Sequence, residues 1–388
     1  MTERHYFDNA ASSLLNEACL EAERAFDAQP WAGANPSSLH DAGRHAFRAL
    51  EDARARLARS LGAQRPSEVT FMSGGTEANN TAVCGIAHAV LASSAGRRHR
   101  VLVSAIEHES VLRLKGRLAL LGIDLDVIPV TAAGVVDLAA LGRMLGDDVS
   151  LVSVMTVNNE IGSIQPVAEV ARMAHAAGAL MHTDAVQGFG KTRVDVRELG
   201  VDAASVTAHK IGGPIGVGAL YLKAHTPIEP LMIGGGQEAG LRSGTTDVRG
   251  AVTFAAVAAD AVGNLQARSE RMREVARVII DGLAGGDDPV ARLPVARNDE
   301  EAFIAGTVCL VVPGHDSQSL VLALDNAGYE VAGGSACSSG SLDPSHVLSA
   351  VGVPRDLALC ELRVSFDSRV TAEEAGGLVA KVREVCGR

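Results

Sequence analysis

Lys210 stands between a short polar run and a glycine turn, in Ser205-Val-Thr-Ala-His-Lys210-Ile-Gly-Gly-Pro, and Asp184 closes an apolar run, Ala179-Leu-Met-His-Thr-Asp184. An amine and a carboxylate at the ends of two successive strands are what a ring-bearing aldehyde cofactor needs. The amine forms an imine with it, and the carboxylate holds the ring nitrogen protonated; pyridoxal phosphate is usually seated this way. Taken by themselves, a lysine and an aspartate are equally at home as solvated surface charges, so the neighbouring residues decide.

Those neighbours carry complementary chemistry. Ser73-Gly-Gly-Thr-Glu-Ala-Asn-Asn80 follows one apolar run and opens a helical stretch. Its glycines let backbone N–H groups approach a phosphate at a helix N-terminus, with the Thr76 hydroxyl as a further donor. The same residues also read as a plain helix start, with Glu77 complementing the dipole. Thr207 and His209, beside the lysine, are further phosphate donors. His108, in Glu107-His108-Glu-Ser110, is placed to stack on a flat ring and shuttle protons. Asn159 and Gln187 come soon after apolar runs and can address a ring oxygen, though such residues are as often turn formers. Cys337 lies among small residues, Gly333-Gly-Ser-Ala-Cys337-Ser-Ser-Gly-Ser341. That setting suits a nucleophile that must travel better than a structural thiol, which prefers apolar burial. Arg363 interrupts the apolar run Glu361-Leu-Arg-Val-Ser-Phe366 and needs a carboxylate, either a substrate's or an internal one.

The elements that must position these groups follow from the hydropathy pattern. Short apolar runs at 69–72, 101–103, 125–130, 151–155, 179–182 and 217–222 alternate with helix-like stretches at 77–90, 107–121 and 167–177. This is the pattern of βαβ units and a mainly parallel, buried sheet, whose ligands sit beyond the carboxyl ends of the strands. After Gly234-Gly-Gly236 the texture changes. A long helical stretch at 250–284 leads to strands near 307–312 and 362–366, predicting a smaller α+β domain against which the first dozen residues pack. At 388 residues, two domains are expected: a large one over 15–250, and a small one from 1–14 and 251–388 that carries the cysteine loop.

Composition excludes several function classes. The balance of 35 Lys and Arg against 46 Asp and Glu gives a net charge of −11, which disfavours direct nucleic-acid or anionic-membrane binding. No apolar run is long enough to cross a bilayer and no secretory signal opens the chain, so a cytoplasmic location is expected. The six cysteines form no close pair and are expected as free thiols. All but Cys337 read as small core hydrophobes.

Together these motifs resemble the class V aminotransferase group of pyridoxal-phosphate enzymes and, within it, the cysteine desulfurases of the NifS/IscS type. The resemblance runs nearly end to end. It spans Tyr6-Phe-Asp-Asn-Ala-Ala11, Asn35-Pro-Ser-Ser-Leu-His40, 73–80, Glu107-His108, Asn158-Asn-Glu-Ile-Gly162 and 182–187. It continues through His209-Lys210, 234–245, 333–340, Pro344-Ser-His-Val-Leu348 and Leu362-Arg-Val-Ser365. It implies an α/β fold of the aspartate aminotransferase-like type (fold type I). Lys210 would hold pyridoxal 5′-phosphate, Asp184 would pair with its ring nitrogen, and Gln187 and Asn159 would address its ring oxygen. Gly75, Thr76, Thr207 and His209 would bind the phosphate, joined by Thr245 from a neighbouring subunit of a homodimer. His108 would stack on the ring, Arg363 and Asn35 would grip L-cysteine, and Cys337 would take the sulfur and pass it to an acceptor protein. A selenocysteine lyase, an aminotransferase or a non-catalytic sulfur relay on this scaffold are the alternatives. The chain departs from the pattern at Gly212 and Ile215, where an aromatic residue and a lysine are frequent, and at Ala239, where an arginine is.

Overall fold

The alternation of apolar runs and amphipathic stretches becomes a layered α/β architecture in the computed structural model, which describes residues 4–334 and 343–388. Strand β1 (His5–Tyr6) is followed by β2 (Val69–Met72), β3 (Arg100–Ser104), β4 (Asp124–Ile128), β5 (Val149–Ser153), β6 (Leu180–Asp184), β7 (Ala203–Thr207) and β8 (Gly218–Leu222). Strands β2 to β8 form one seven-stranded sheet in the order β2-β8-β7-β6-β5-β3-β4. β8 runs antiparallel to both its neighbours, and the other pairs of this sheet are parallel.

Such a sheet must be covered on both faces, and β5 and β7 are buried at every residue. Successive side chains point to opposite sides and so enter different cores. Val101, Val103, Leu151 and Ala203 pack with the helix Gly75–Ser93. Leu102, Val152 and Ala204 pack on the other side, in a core that includes the helices Asp41–Leu61 and Val248–Gly263. The first of these is sharply delimited. The His40 ring accepts from Gly43 N at its start, and Gly62 ends it at φ +72°, a conformation that favours glycine.

A second apolar core lies towards the C-terminus. Antiparallel β9 (Thr307–Val311) and β11 (Glu361–Ser365) pack with the helices Leu265–Ala284 and Ala372–Val385. β1 pairs in parallel with β10 (Tyr329–Glu330), and Phe7 is fully buried in this core.

Three expectations are corrected. The stretch at 250–284 is two helices, parted at Asn264, whose side chain bonds back to the Asp260 carbonyl and carboxylate. The first of the two buries Ala251, Phe254 and Ala258 in the core of the large sheet. The stretch at 107–121 forms two short helices, Glu109–Leu112 and Lys115–Ala119. Cys19, Cys84 and Cys309 are buried free thiols, whereas Cys360 and Cys386 are only half-buried.

Candidate active site

The carboxyl ends of β2, β3, β5, β6 and β7 converge on a cavity of about 250 Å³. Ten of the residues expected to do chemistry line it: Gly75, Thr76, His108, Asn159, Asp184, Gln187, Thr207, His209, Lys210 and Arg363. Two others are not brought there. Asn35 is exposed, its side chain accepting from Ser37 N at 2.9 Å in a local turn. Thr245 is exposed and does not line the cavity. Cys337 lies outside the described residues.

Lys210 ends a single turn of 3-10 helix directly after β7. Its Nζ donates to Ala10 O and Ala11 O, both at 2.7 Å, so the N-terminal segment supplies the acceptors that hold the amine in place. Asp184, at the last position of β6, is 4% exposed. Its two oxygens accept from Asn79 Nδ2 at 2.6 Å and from Val186 N at 2.9 Å.

Asn79 and Ser110 are the residues that the sequence reading failed to single out. Asn79 donates to both Asp184 and Ser110 Oγ, the latter at 2.9 Å, and Ser110 N donates to His108 Nδ1 at 3.1 Å. The network therefore runs from the carboxylate to the imidazole. The available signal was helical spacing: Asn79 comes three residues after Thr76 and shares its face. Because His108 Nδ1 accepts a backbone N–H, the ring proton sits on Nε2. Burial pushes the His108 pKa down, aided by Lys210 and His346 and opposed by Asp184 and Glu160, which favours the neutral ring.

The glycine turn opens a helix, and Gly75 and Thr76 line the cavity. Gly74 has φ +159°, and a Cβ on Gly75 would lie 2.7 Å from Val186 Cγ2, so a side chain there would displace the wall of the cavity. Glu77 accepts from Ser73 N at 2.6 Å and from Arg242 Nε at 3.0 Å, closing the turn that opens the helix. Thr207 is buried and donates its hydroxyl to Val217 O at 3.0 Å. His209 is pushed down to about 4, first by burial and then by Lys210 and Lys191, so it enters the cavity wall uncharged.

Arg363 is 1% exposed, and the internal carboxylate is the partner seen. One guanidinium nitrogen donates to Asp8 Oδ1 at 2.8 Å and another reaches Asn159 O at 3.4 Å, while Nε has no hydrogen-bond partner among the described residues. An internal carboxylate thus satisfies part of the fork on the wall of the cavity.

Comparison with known proteins shows the family. The family described as Aminotransferase class-V matches residues 5–378. The chain is 40% identical to an IscS-like cysteine desulfurase of Mycobacterium tuberculosis over 388 residues, covering 97% of each chain. It is 39% identical over 382 residues to the cysteine desulfurase IscS of Dictyoglomus turgidum, covering 96% of this chain and 92% of the relative. A solved NifS-like protein superposes with a TM-score of 0.88 at 34% identity, with 99% of both chains covered. A chain with this fold, matched over nearly its whole length, belongs to the class V aminotransferase family, in its group of NifS/IscS-type cysteine desulfurases.

Proposed function

We propose that this protein is a cysteine desulfurase that uses pyridoxal 5′-phosphate, converting L-cysteine to L-alanine while its sulfur passes to Cys337 as a persulfide and then to an acceptor protein. One observation carries the reading: Lys210 and Asp184 line the same cavity as the glycine turn at Gly75. The residues fit the cofactor. Lys210 would supply the amine for covalent attachment, Asp184 would pair with the ring nitrogen, and Gln187 and Asn159 would address the ring oxygen. Gly75, Thr76 and His209 would take the phosphate, joined by Thr207 when its hydroxyl turns from Val217 O, and the Nε of buried Arg363, without a hydrogen-bond partner among the described residues, is one donor still to be satisfied. When bound, the cofactor supplies an electron sink for the bonding pair released at the substrate Cα.

The chain's own groups do the rest. Arg363 grips the substrate carboxylate beside Asp8. Lys210 collects the α-proton, and neutral His108, protonated at Nε2, handles a second proton. The cysteine C–S bond breaks as the Cys337 thiolate forms an S–S bond to that sulfur. The bonding electrons remain with the substrate carbon, which is protonated to give alanine. Two anchors support Cys337 in this role. Ala332 exchanges both backbone hydrogen bonds with Arg363, and the Ser345 hydroxyl donates to Glu160, next to Asn159; the two flank the segment that bears the thiol.

A homodimer is part of the proposal. Leu231, Met232 and Ile233 are exposed on the glycine-rich segment that also carries exposed Thr245, and Ile215 is 80% exposed in the turn after Lys210. Apolar side chains presented in this way favour a second copy over solvent. The decisive experiment incubates the purified protein with L-cysteine, without a keto acid, and measures alanine and transferable sulfur. Cys337→Ala keeps the visible chromophore of the bound cofactor and loses sulfur transfer, whereas Lys210→Ala loses the lysine-linked chromophore. Sulfur release by Cys337→Ala at the wild-type rate would refute the nucleophile assignment. An absolute need for a keto acid would identify an aminotransferase.

A further inference from the structure

Gln187 is held from behind by a lysine that the proposed chemistry does not use. After β6 the chain turns through Gly190, at φ +71°, where a Cβ would lie 2.9 Å from Ala261 Cβ and from Ile211 Cγ2. Only glycine suits so tight a turn, and it returns Lys191 to Gln187. Lys191 Nζ donates to Gln187 Oε1 at 2.8 Å. With its carbonyl taken, the amide must use its NH₂ elsewhere. Nε2 donates one hydrogen to Ala10 O at 2.9 Å and has a second for the cavity that Gln187 lines. Ala10 O also accepts from Lys210 Nζ. Lys191, Gln187, the Ala10 carbonyl and Lys210 thus form one continuous chain of hydrogen bonds.

Lys191 and Lys210 also meet across a second cavity, of about 90 Å³, on the side of Lys210 that faces Phe366. The charges around Lys191 do not favour an ammonium. Lys210 and Arg363 repel it, and Asp367 attracts it but is already paired with Arg369. Arg268 lines the same cavity and is paired with Asp260. Burial is the largest influence, and together these push the Lys191 pKa down to about 7. A methionine would fill the same space without that electrostatic cost.

We propose that Lys191 is a positioning residue for the Lys210 site: its amine holds the Gln187 amide as a donor into the active-site cavity, and its charge disfavours a further positive charge at Lys210. The inference rests on Lys210 being the cofactor-bearing lysine. A like charge destabilises the protonated form of the lysine–cofactor linkage, so removing it stabilises that form and raises the pKa of the visible chromophore.

The test reconstitutes wild type, Lys191→Met, Lys191→Gln and Lys191→Arg with pyridoxal phosphate and titrates the chromophore against pH. The Met and Gln variants, which lack the charge, titrate about one pH unit higher than wild type, and the Arg variant, whose charge persists above the Lys191 pKa of about 7, titrates no higher than wild type. The Met variant also loses kcat about five- to tenfold with little change in KM, as the amide loses its orientation. A purely structural role would lower the melting temperature while leaving the chromophore titration in place. Coincident titrations in wild type, Met and Gln variants overturn the inference while leaving the proposed function intact. Failure of the wild type to form the chromophore overturns both. If the Met variant does not fold, the Gln and Arg pair decides by the same criterion.

Discussion

Asn79 couples the two groups with the most demanding chemistry, donating to Asp184 on one side and to Ser110, beside His108, on the other. It is 1% exposed, so nothing from solvent replaces it when it is removed. A hydrogen bond to a buried charged group contributes about 1.5–3 kcal/mol. Asn79→Ala is therefore expected to destabilise the protein by about 2 kcal/mol in urea unfolding and to weaken retention of pyridoxal phosphate in equilibrium dialysis. Unchanged stability and retention would mean that water takes over the amide's role. Glu107 is a contrasting buried acid. Its Oε1 accepts from the Ser104 hydroxyl and from Met155 N, Oε2 has no partner among the described residues, and burial pushes its carboxyl up to about 8. Its proton keeps a second negative charge away from Asp184.

At the scale of the element, β6 does more than present Asp184. His182, two residues earlier on the same strand, is fully buried between the hydroxyls of Ser153 on β5 at 2.8 Å and Ser205 on β7 at 3.0 Å. The imidazole ties three adjacent strands together just behind the site. Burial pushes its pKa down to about 3 from an ordinary 6.5. The sign follows from linkage. Below pH 6.5 the unfolded chain takes up a proton that the folded chain refuses until about pH 3, so stability falls as the pH drops across that window. One such proton changes stability by at most about 1.4 kcal/mol per pH unit. In wild type the urea midpoint is expected to fall from pH 6 to pH 4 more steeply than in His182→Gln, whose side chain does not titrate. Equal slopes would show that His182 is protonated in the fold. His209, pushed down to about 4, adds to the acid sensitivity of both proteins.

At the scale of the molecule, the site lies where two apolar cores meet. The large sheet supplies Asp184 and Lys210, the second core supplies Arg363, and the segment from Asp8 to Ala11 runs between them, giving Arg363 a carboxylate and Lys210 two carbonyls. The proposed homodimer predicts the outcome of breaking it. In sedimentation velocity the wild type runs as a dimer. Ile233→Asp combined with Ile215→Asp runs as a monomer and retains pyridoxal phosphate poorly, because Thr245 can no longer reach a partner's phosphate site. A wild-type monomer that retains the cofactor in full would remove Thr245 from the site.

Much of this was legible in the amino-acid order because strand ends and glycine turns are local features. Alternating apolar runs determined a buried parallel sheet, and the groups just beyond its strands, Thr76, His108, Asp184 and Lys210, had to converge once that sheet formed. The tertiary structure decided what depends on contacts between residues distant in sequence. Arg363 is partnered by Asp8, Lys210 bonds to Ala10 and Ala11, and Asn79 joins Asp184 to Ser110, because folding brings segments with no shared periodicity to one cavity. The break at Asn264 had a local signal in Gly263-Asn264, both poor helix formers, and the fold adds the Asn264 amide bonding back to Asp260.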